Sequence, residues 1–338
     1  MDKIKTAIVG LGRLGHKHAL DLIKTQNVEL IAACRTNQSK LGSIKDWNIA
    51  TYTDFETMLI EQPTIQAVII ASSSNMHEEH IKLAFKYKKH IFCEKPLSLT
   101  VQGCQEIVAL CNANPDLIFQ LGFMRRFDAS YAQAKEMIEN GKIGTPIMLK
   151  ATSMDPLSAI DGFLKFAPTS GGIFFDLAIH DIDLAHWFLK ANVTSVFASG
   201  DAYRFGQLND YNDGDNVCAI LNFDNGATAM LHQCRFSPHG YHIETEIIGT
   251  DAILRINSIP QKNKIQIFNN DGVLIECIHS FQERFSQAFE TEKEIFFNCI
   301  LDNKPSQCSA VDGLRAVLVS NALQESFIQK NLVKIKQL

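Results

Sequence analysis

The chain has 338 residues, long for one domain and comfortable for two, and its 46% hydrophobic, 20% charged composition suits a globular protein with a sizeable core. A formal charge of -5 argues against a nucleic-acid partner or an anionic membrane surface, and no uninterrupted apolar run approaches the roughly 20 residues of a membrane span. Nine scattered cysteines without C-x-x-C spacing read as free thiols, and "MDKIKTAIVG" enters a strand too soon for a signal peptide, so a cytoplasmic protein is expected.

The first element, "IKTAIVGLGRLGHKHALDLIK", reads strand, glycine turn, helix. Gly10, Gly12 and Gly15 make G-x-G-x-x-G: one glycine for the tight turn, one for close approach of a pyrophosphate, one for helix–strand packing. The helix start then offers unpaired N–H groups to phosphate. "VELIAAC" is a second strand and "TDFETMLIEQ" a helix, with Thr53 and Glu56 at capping-box spacing. "QAVIIA" is a fully apolar strand, as in a parallel sheet covered on both faces, and Asn75 is expected to cap the helix that follows. The cluster "KYKKH" at that helix's end reads as a solvated terminus. Strand "HIFC", helix "TVQGCQEIVALCN" and strand "IFQLGF" continue the alternation to Gly122. The pattern predicts a doubly wound parallel sheet of the Rossmann type over residues 1–122, with ligands at the carboxyl ends of its strands.

Beyond Asp128, which is placed to cap a helix, the pattern changes. "TPIMLKATS" is a strand; Asn225-Gly226 and Asp271-Gly272 each sit between apolar runs and predict tight hairpins. Two long helices close the chain. Residues 123–338 are expected to form an α+β domain with a large, mostly antiparallel open sheet. Inside it, "GGIFFDLAIHDIDLAHWFL" is apolar nearly all round and predicts a buried helix. At 100° per residue its Asp176, His180 and Asp183 fall within about 60° of one another. Burying unpaired charge costs several kcal/mol, roughly the scale of a domain's whole stability, so that stripe must meet partners, water or a ligand. Asp181 and His186 point off the stripe and read as surface or capping residues.

Three motifs in order, "GLGRLG", "CEKPL" and the charged helix, resemble the glucose-fructose oxidoreductase/inositol dehydrogenase/rhizopine-catabolism (Gfo/Idh/MocA) family over nearly the whole chain. "GFMRRFDASY" and "HDIDLAHWFL" are most similar to the inositol 2-dehydrogenase branch. The resemblance implies an NAD(P)-dependent oxidoreductase acting on a secondary alcohol of a cyclitol or sugar, and a homo-oligomer, dimer or tetramer, built on the open sheet. It assigns Lys95, Asp176 and His180 to catalysis. It lines the cofactor with Arg13 and Leu14 in the phosphate turn, Ser72 and His77 after the "VIIA" strand, and Glu94 and Lys95. Arg125, Asp183 and Tyr241 join the catalytic three as substrate contacts.

The residues themselves give these roles a chemistry. Histidine, with an unperturbed pKa of about 6.5, is the natural base for an alcohol proton. Asp176 can fix its tautomer, and Lys95 supplies a cation for a developing alkoxide. Where an NAD enzyme usually carries an acid for the ribose 2′-hydroxyl, this chain has Cys34-Arg35-Thr36, which favours NADP. Ser153-Met154, Phe289 and His239 stand where inositol enzymes often place other polar or aromatic groups, so the exact polyol stays open.

Blander readings stand beside these. Asp176 and His180 also fit a structural ion pair at i, i+4 spacing. His16 and His18 read as packing residues, and His239 and His242, taken as strand positions, project to opposite faces. His77 to His80, "HEEH", lacks a third ligand, and no metal is expected. A non-catalytic dinucleotide sensor and an NAD-assisted glycoside hydrolase remain as rivals. Retention of Lys95, Asp176 and His180 together weighs against the first, and the lack of a paired-carboxylate motif against the second.

Overall fold

The structure, a computed structural model, describes residues 3–36, 44 and 47–336. Strands and helices alternate from the start: β1 (Ile4–Val9), α1 (Arg13–Lys24), β2 (Val28–Cys34), β3 (Ala50–Tyr52), α2 (Phe55–Glu61), β4 (Ala67–Ile70), α3 (His77–Lys86), β5 (His90–Glu94), α4 (Val101–Ala113) and β6 (Phe119–Gly122). The six strands form one parallel sheet in the order β3-β2-β1-β4-β5-β6. Strand order reverses between β1 and β4, and a crevice opens at the carboxyl ends of such a pair. All four residues of β4, "AVII", are buried, as a strand covered on both faces requires.

Two expected caps move. Asp54, not Thr53, caps α2 by accepting from the Thr57 amide at 2.7 Å. A short 3-10 turn, Ser74–Met76, precedes α3, which has no side-chain cap, so Asn75 does not serve. Within the basic cluster Lys89 is buried and donates to the Pro63 and Ile65 carbonyls at 3.1 and 2.6 Å, so that helix end is not simply solvated.

The remaining elements are α5 (Ala129–Glu139), β7 (Pro146–Pro156), α6 (Ile160–Ser170), α7 (Ile173–Asp176), α8 (Ala178–Leu189), β8 (Val193–Asp201), β9 (Asn216–Phe223), β10 (Thr228–Ser237), β11 (His242–Gly249), β12 (Ile253–Ile256), β13 (Gln261–Asn269), β14 (Gly272–Cys277), α9 (Phe281–Arg284), α10 (Ser286–Asp302), α11 (Ala310–Gln329) and β15 (Val333–Lys334). Seven strands pair as β12-β11-β7-β10-β9-β8-β15; only β7 and β10 run parallel, so the sheet is mostly antiparallel. Asn225-Gly226 turns β9 into β10, and Asp271-Gly272 turns β13 into β14, a separate two-stranded ribbon. Asp128 caps α5, accepting from the Ser130 amide at 3.1 Å.

Two compact units result, one running to Met124 and including Phe289–Val317, the other Arg125–Ala288 with Leu318–Leu338. The expected second domain is therefore not contiguous. Phe296 and Phe297 on α10 share a core with Ile4, Ile8, Leu22 and Phe92, and that apolar burial holds the segment in the first unit. The predicted buried helix is also broken. Gly171 and Gly172 take positive φ, and Leu177 separates α7 from α8, so Asp176 lies on a different helix from His180 and Asp183.

Candidate active site

In the first unit the glycine turn has the space a dinucleotide needs. A Cβ on Gly10, held at φ +92°, would stand 2.3 Å from the Ser72 amide nitrogen, and one on Gly15 would stand 1.8 Å from the Gly10 carbonyl. Gly12 has nothing within 4 Å of where its Cβ would be. Side chains are thus excluded where the backbone closes on itself, and room is left at the helix start. α1 begins at Arg13 and Leu14 with no side-chain cap and no acid in its first turn, a helix start whose dipole favours an anion.

At the end of β2, Arg35 Nη1 donates to the Leu11 carbonyl, which brings the guanidinium to the glycine turn. Thr36 beside it is exposed. After β4, Ser72 is half-buried and its hydroxyl meets His80 Nδ1 at 2.9 Å. Burial pushes His80 down to about 4.

Two expected cofactor contacts turn inward instead. His77 is buried, with Nδ1 2.7 Å from the Pro96 carbonyl and Nε2 3.1 Å from that of Ser72. Burial holds it below the usual imidazole range, and the neutral ring, with a single N–H, donates to one of these two carbonyls. Glu94 is buried against His18, 2.6 Å from its Nε2, so its carboxylate faces protein, not cofactor. Lys95, next along the chain, is half-buried, and the Lys95–Pro96 peptide is cis.

In the second unit Asp176 sits at the end of α7, whose start is fixed by Asp213 accepting from the Ile173 amide at 2.8 Å. Asp176 Oδ2 pairs with Arg235 Nη1 at 3.0 Å, and Asp155 Oδ2 lies 3.8 Å from the same nitrogen. The Phe163 ring stacks on that guanidinium, centroid 3.4 Å from its carbon. Arg235 Nε and Nη2 are buried without a hydrogen-bond partner. His180 is buried in the first turn of α8. The result is two carboxylates and a stacked guanidinium held together, with the His180 imidazole one helix further along the chain. Arg235 and Asp155 were missed from sequence; the lone arginine inside the strand "TAMLHQCRFS" was the available signal.

Three expected substrate contacts are spent on the protein itself. Arg126 Nε and Nη2 clamp Asp183 at 2.8 and 2.5 Å, both groups buried. Arg125, 1% exposed, donates to Asp181 at 2.5 Å and to Ser153 at 3.1 Å. Asp181, expected at the surface, is fully buried and also accepts from Ser153 at 2.6 Å and Gln233 at 3.1 Å. Tyr241 is buried beside Arg125, and burial pushes its phenol up. His186 is half-buried on the Ile182 carbonyl at 3.0 Å. His239 precedes β11, and Gly240 at φ +126° lets its ring reach His242 at 3.1 Å, so the two do not diverge.

Among the described residues no helix is long and apolar enough to cross a membrane, and the cysteines are free thiols.

Residues 4–123 match the model of an oxidoreductase family with an NAD-binding Rossmann fold, GFO_IDH_MocA, and residues 131–255 match the GFO/IDH/MocA C-terminal domain. The crystal structure of myo-inositol 2-dehydrogenase from Lactobacillus plantarum superposes at TM-score 0.95 with 35% identity, covering 99% of this chain and all of that one. Scyllo-inositol dehydrogenase from Lactobacillus casei, with bound NAD(H) and scyllo-inositol, superposes at 0.94 with 36% identity over 98% of this chain and 99% of that one. Among curated proteins, scyllo-inositol 2-dehydrogenase (NAD(+)) of Bacillus subtilis is 32% identical over 96% of this chain and 94% of its own.

Proposed function

This chain belongs to the Gfo/Idh/MocA family of NAD-binding oxidoreductases, and we propose that it interconverts a ring secondary alcohol of a cyclitol and the corresponding ketone. The observation that carries the reading is the near-complete structural likeness to an inositol dehydrogenase that holds NAD(H) and scyllo-inositol.

Gly10, Gly12, Gly15 and the start of α1 would hold the pyrophosphate, which fits the open space at Gly12. When bound, the nicotinamide supplies a hydride acceptor. The chain's own work is proton and charge management. Lys95 holds the substrate oxygen and favours its alkoxide character. His180 takes the hydroxyl proton, the general-base role for which an imidazole is suited. Asp176 orients that imidazole and stabilises the charge it gains, while Arg235 donates to the Asp176 carboxylate at 3.0 Å.

NADP is favoured over NAD on one ground: no acid ends β2, and Arg35 stands there instead. For assembly, Phe197, Ile220 and Met230 form an exposed apolar row across β8, β9 and β10, Phe197 opposite Ile220 and Ile220 opposite Met230. A row of that kind supports a homo-oligomer built on the open sheet face. A soluble cytoplasmic location fits the free thiols and the polyol substrate class.

The test is a matrix of NAD and NADP against inositol isomers, inososes and common aldoses, following nicotinamide absorbance. Turnover of at least one cyclitol, with higher kcat/KM for NADP, is expected. Tight dinucleotide binding without turnover of any member would favour the sensor; bound NAD that shows no net reduction while a glycoside is cleaved would favour the hydrolase.

A further inference from the structure

Behind the strand that carries Lys95 lies a buried charge cluster that the reaction above does not use. Lys17 Nζ bonds Asp21 on α1 at 3.0 Å, and Asp21 bonds Lys293 on α10 at 3.0 Å. Lys293 reaches His18 Nδ1 at 3.1 Å and the Phe289 carbonyl; His18 Nε2 reaches Glu94 at 2.6 Å. Both carboxyl oxygens of Glu292, fully buried, have no hydrogen-bond partner among the described residues. The His18, Glu94 and Glu292 ligand atoms all lie within 4.8 Å of one another, close enough to suggest a metal. The tautomer argues otherwise. A lysine ammonium only donates, so His18 Nδ1 is the acceptor and Nε2 carries the proton given to Glu94. The imidazole lone pair is spent, and Lys293 already supplies the cation.

Two buried carboxyls this close do not both ionise. Burial works against a charge on Glu94, but the His18 N–H and the neighbouring Lys95 ammonium outweigh it and hold the carboxylate ionised. Burial, and after it the charges of Glu94 and Asp21, push Glu292 well above the usual carboxylate range against the pull of Lys293 and Lys17, so its proton stays. Glu94 pairs in register with Gly122, where a Cβ would stand 3.2 Å from its Oε2, so the strand end is fixed by α1, β6 and α10 together.

We propose that His18, Lys293 and Glu292 are positioning residues for the dehydrogenase reaction: the His18 N–H holds the Glu94 carboxylate, Glu292 packs within 4.8 Å of both, and together they fix the end of β5 and so the placement of Lys95. The proposal rests on the reading of Lys95 given above. Ionising Glu292 puts a second negative charge against Glu94 and loosens that strand end, which gives kcat an alkaline limb.

The experiment combines infrared spectroscopy with steady-state kinetics on the full chain. Wild-type protein at neutral pH should show the carbonyl stretch of a protonated carboxylic acid, missing from Glu292→Gln. That variant keeps an uncharged side chain of the same shape at the position, so its kcat should stay within about threefold of wild type while the alkaline limb disappears. His18→Phe should lower kcat about 10–100-fold, the cost of a small misplacement, with KM for the dinucleotide within about threefold. Should His18→Phe not fold, the Glu292→Gln spectrum and pH profile decide alone. Absence of the carbonyl band, an unchanged alkaline limb, or a stoichiometric divalent metal lost on Glu292→Gln would overturn the proposal. A band without turnover of any cyclitol would instead sink the functional reading and leave the protonated Glu292 beside Glu94 standing.

Discussion

Replacing Asp181 by alanine separates two roles for Arg125. Asp181 is fully buried and accepts from Arg125 at 2.5 Å, Ser153 at 2.6 Å and Gln233 at 3.1 Å. Asp181→Ala strands a buried guanidinium, which costs about 3–5 kcal/mol. Ser153 and Gln233 each lose an acceptor, about 1 kcal/mol apiece. A total of about 5–7 kcal/mol is a large share of a domain's stability, and at about 2–4 °C per kcal/mol it lowers Tm by about 10–28 °C. Thermal and urea unfolding of Asp181→Ala, Arg125→Met and the double variant, run as a double-mutant cycle, measure the coupling. The double variant should recover at least half of the single-variant loss, because no orphaned charge is left. A loss below about 1 kcal/mol for Asp181→Ala, or an Arg125→Met protein that melts like wild type but has a raised KM for polyol, would refute a structural role for the pair.

Other perturbations read other parts of the molecule. Gly15→Ala puts a methyl 1.8 Å from the Gly10 carbonyl, so dinucleotide affinity should fall at least tenfold by calorimetry, whereas Gly12→Ala, with nothing within 4 Å, should leave the melting temperature of the ligand-free protein nearly unchanged. His80 sits at about 4 because burial disfavours its charged form. Above pH of about 6.5 both folded and unfolded chains carry it neutral; below that the unfolded chain binds a proton that the folded one refuses. Stability should therefore drop by about 2 kcal/mol between pH of about 6.5 and 4, and His80→Gln should flatten part of that slope in urea titrations.

Local signals in the sequence were reliable where the physics is local. The glycine turn, the wholly apolar β4, the Asn225-Gly226 and Asp271-Gly272 hairpins and the Asp128 cap each depend on neighbours within a few residues, and the structure forms all of them. The errors lie where the deciding partner is distant. Periodicity put Asp181 outside the charged stripe, but ten of the twelve residues of α8 are buried, so every face of that helix meets protein. Only Arg125, Ser153 and Gln233, from other elements, show that its charge is balanced. His18 and Glu94 are separated by 76 residues, and Lys293 lies 275 residues beyond His18. No spacing rule joins them; the parallel sheet and the return of α10 do. Asp176 needed the break at Leu177, which the 3.6-residue period hides, and its partner Arg235 comes from the far side of the sheet sequence.

The most direct measurement is the turnover of His180→Ala, beside Lys95→Ala, on whichever cyclitol the wild-type chain oxidises best, with dinucleotide affinity determined on the same preparations. Each variant should lose roughly 10²-fold or more in kcat while binding the cofactor within about threefold of wild type. Near-normal oxidation by the His180 variant would contradict the assignment of that imidazole as the base.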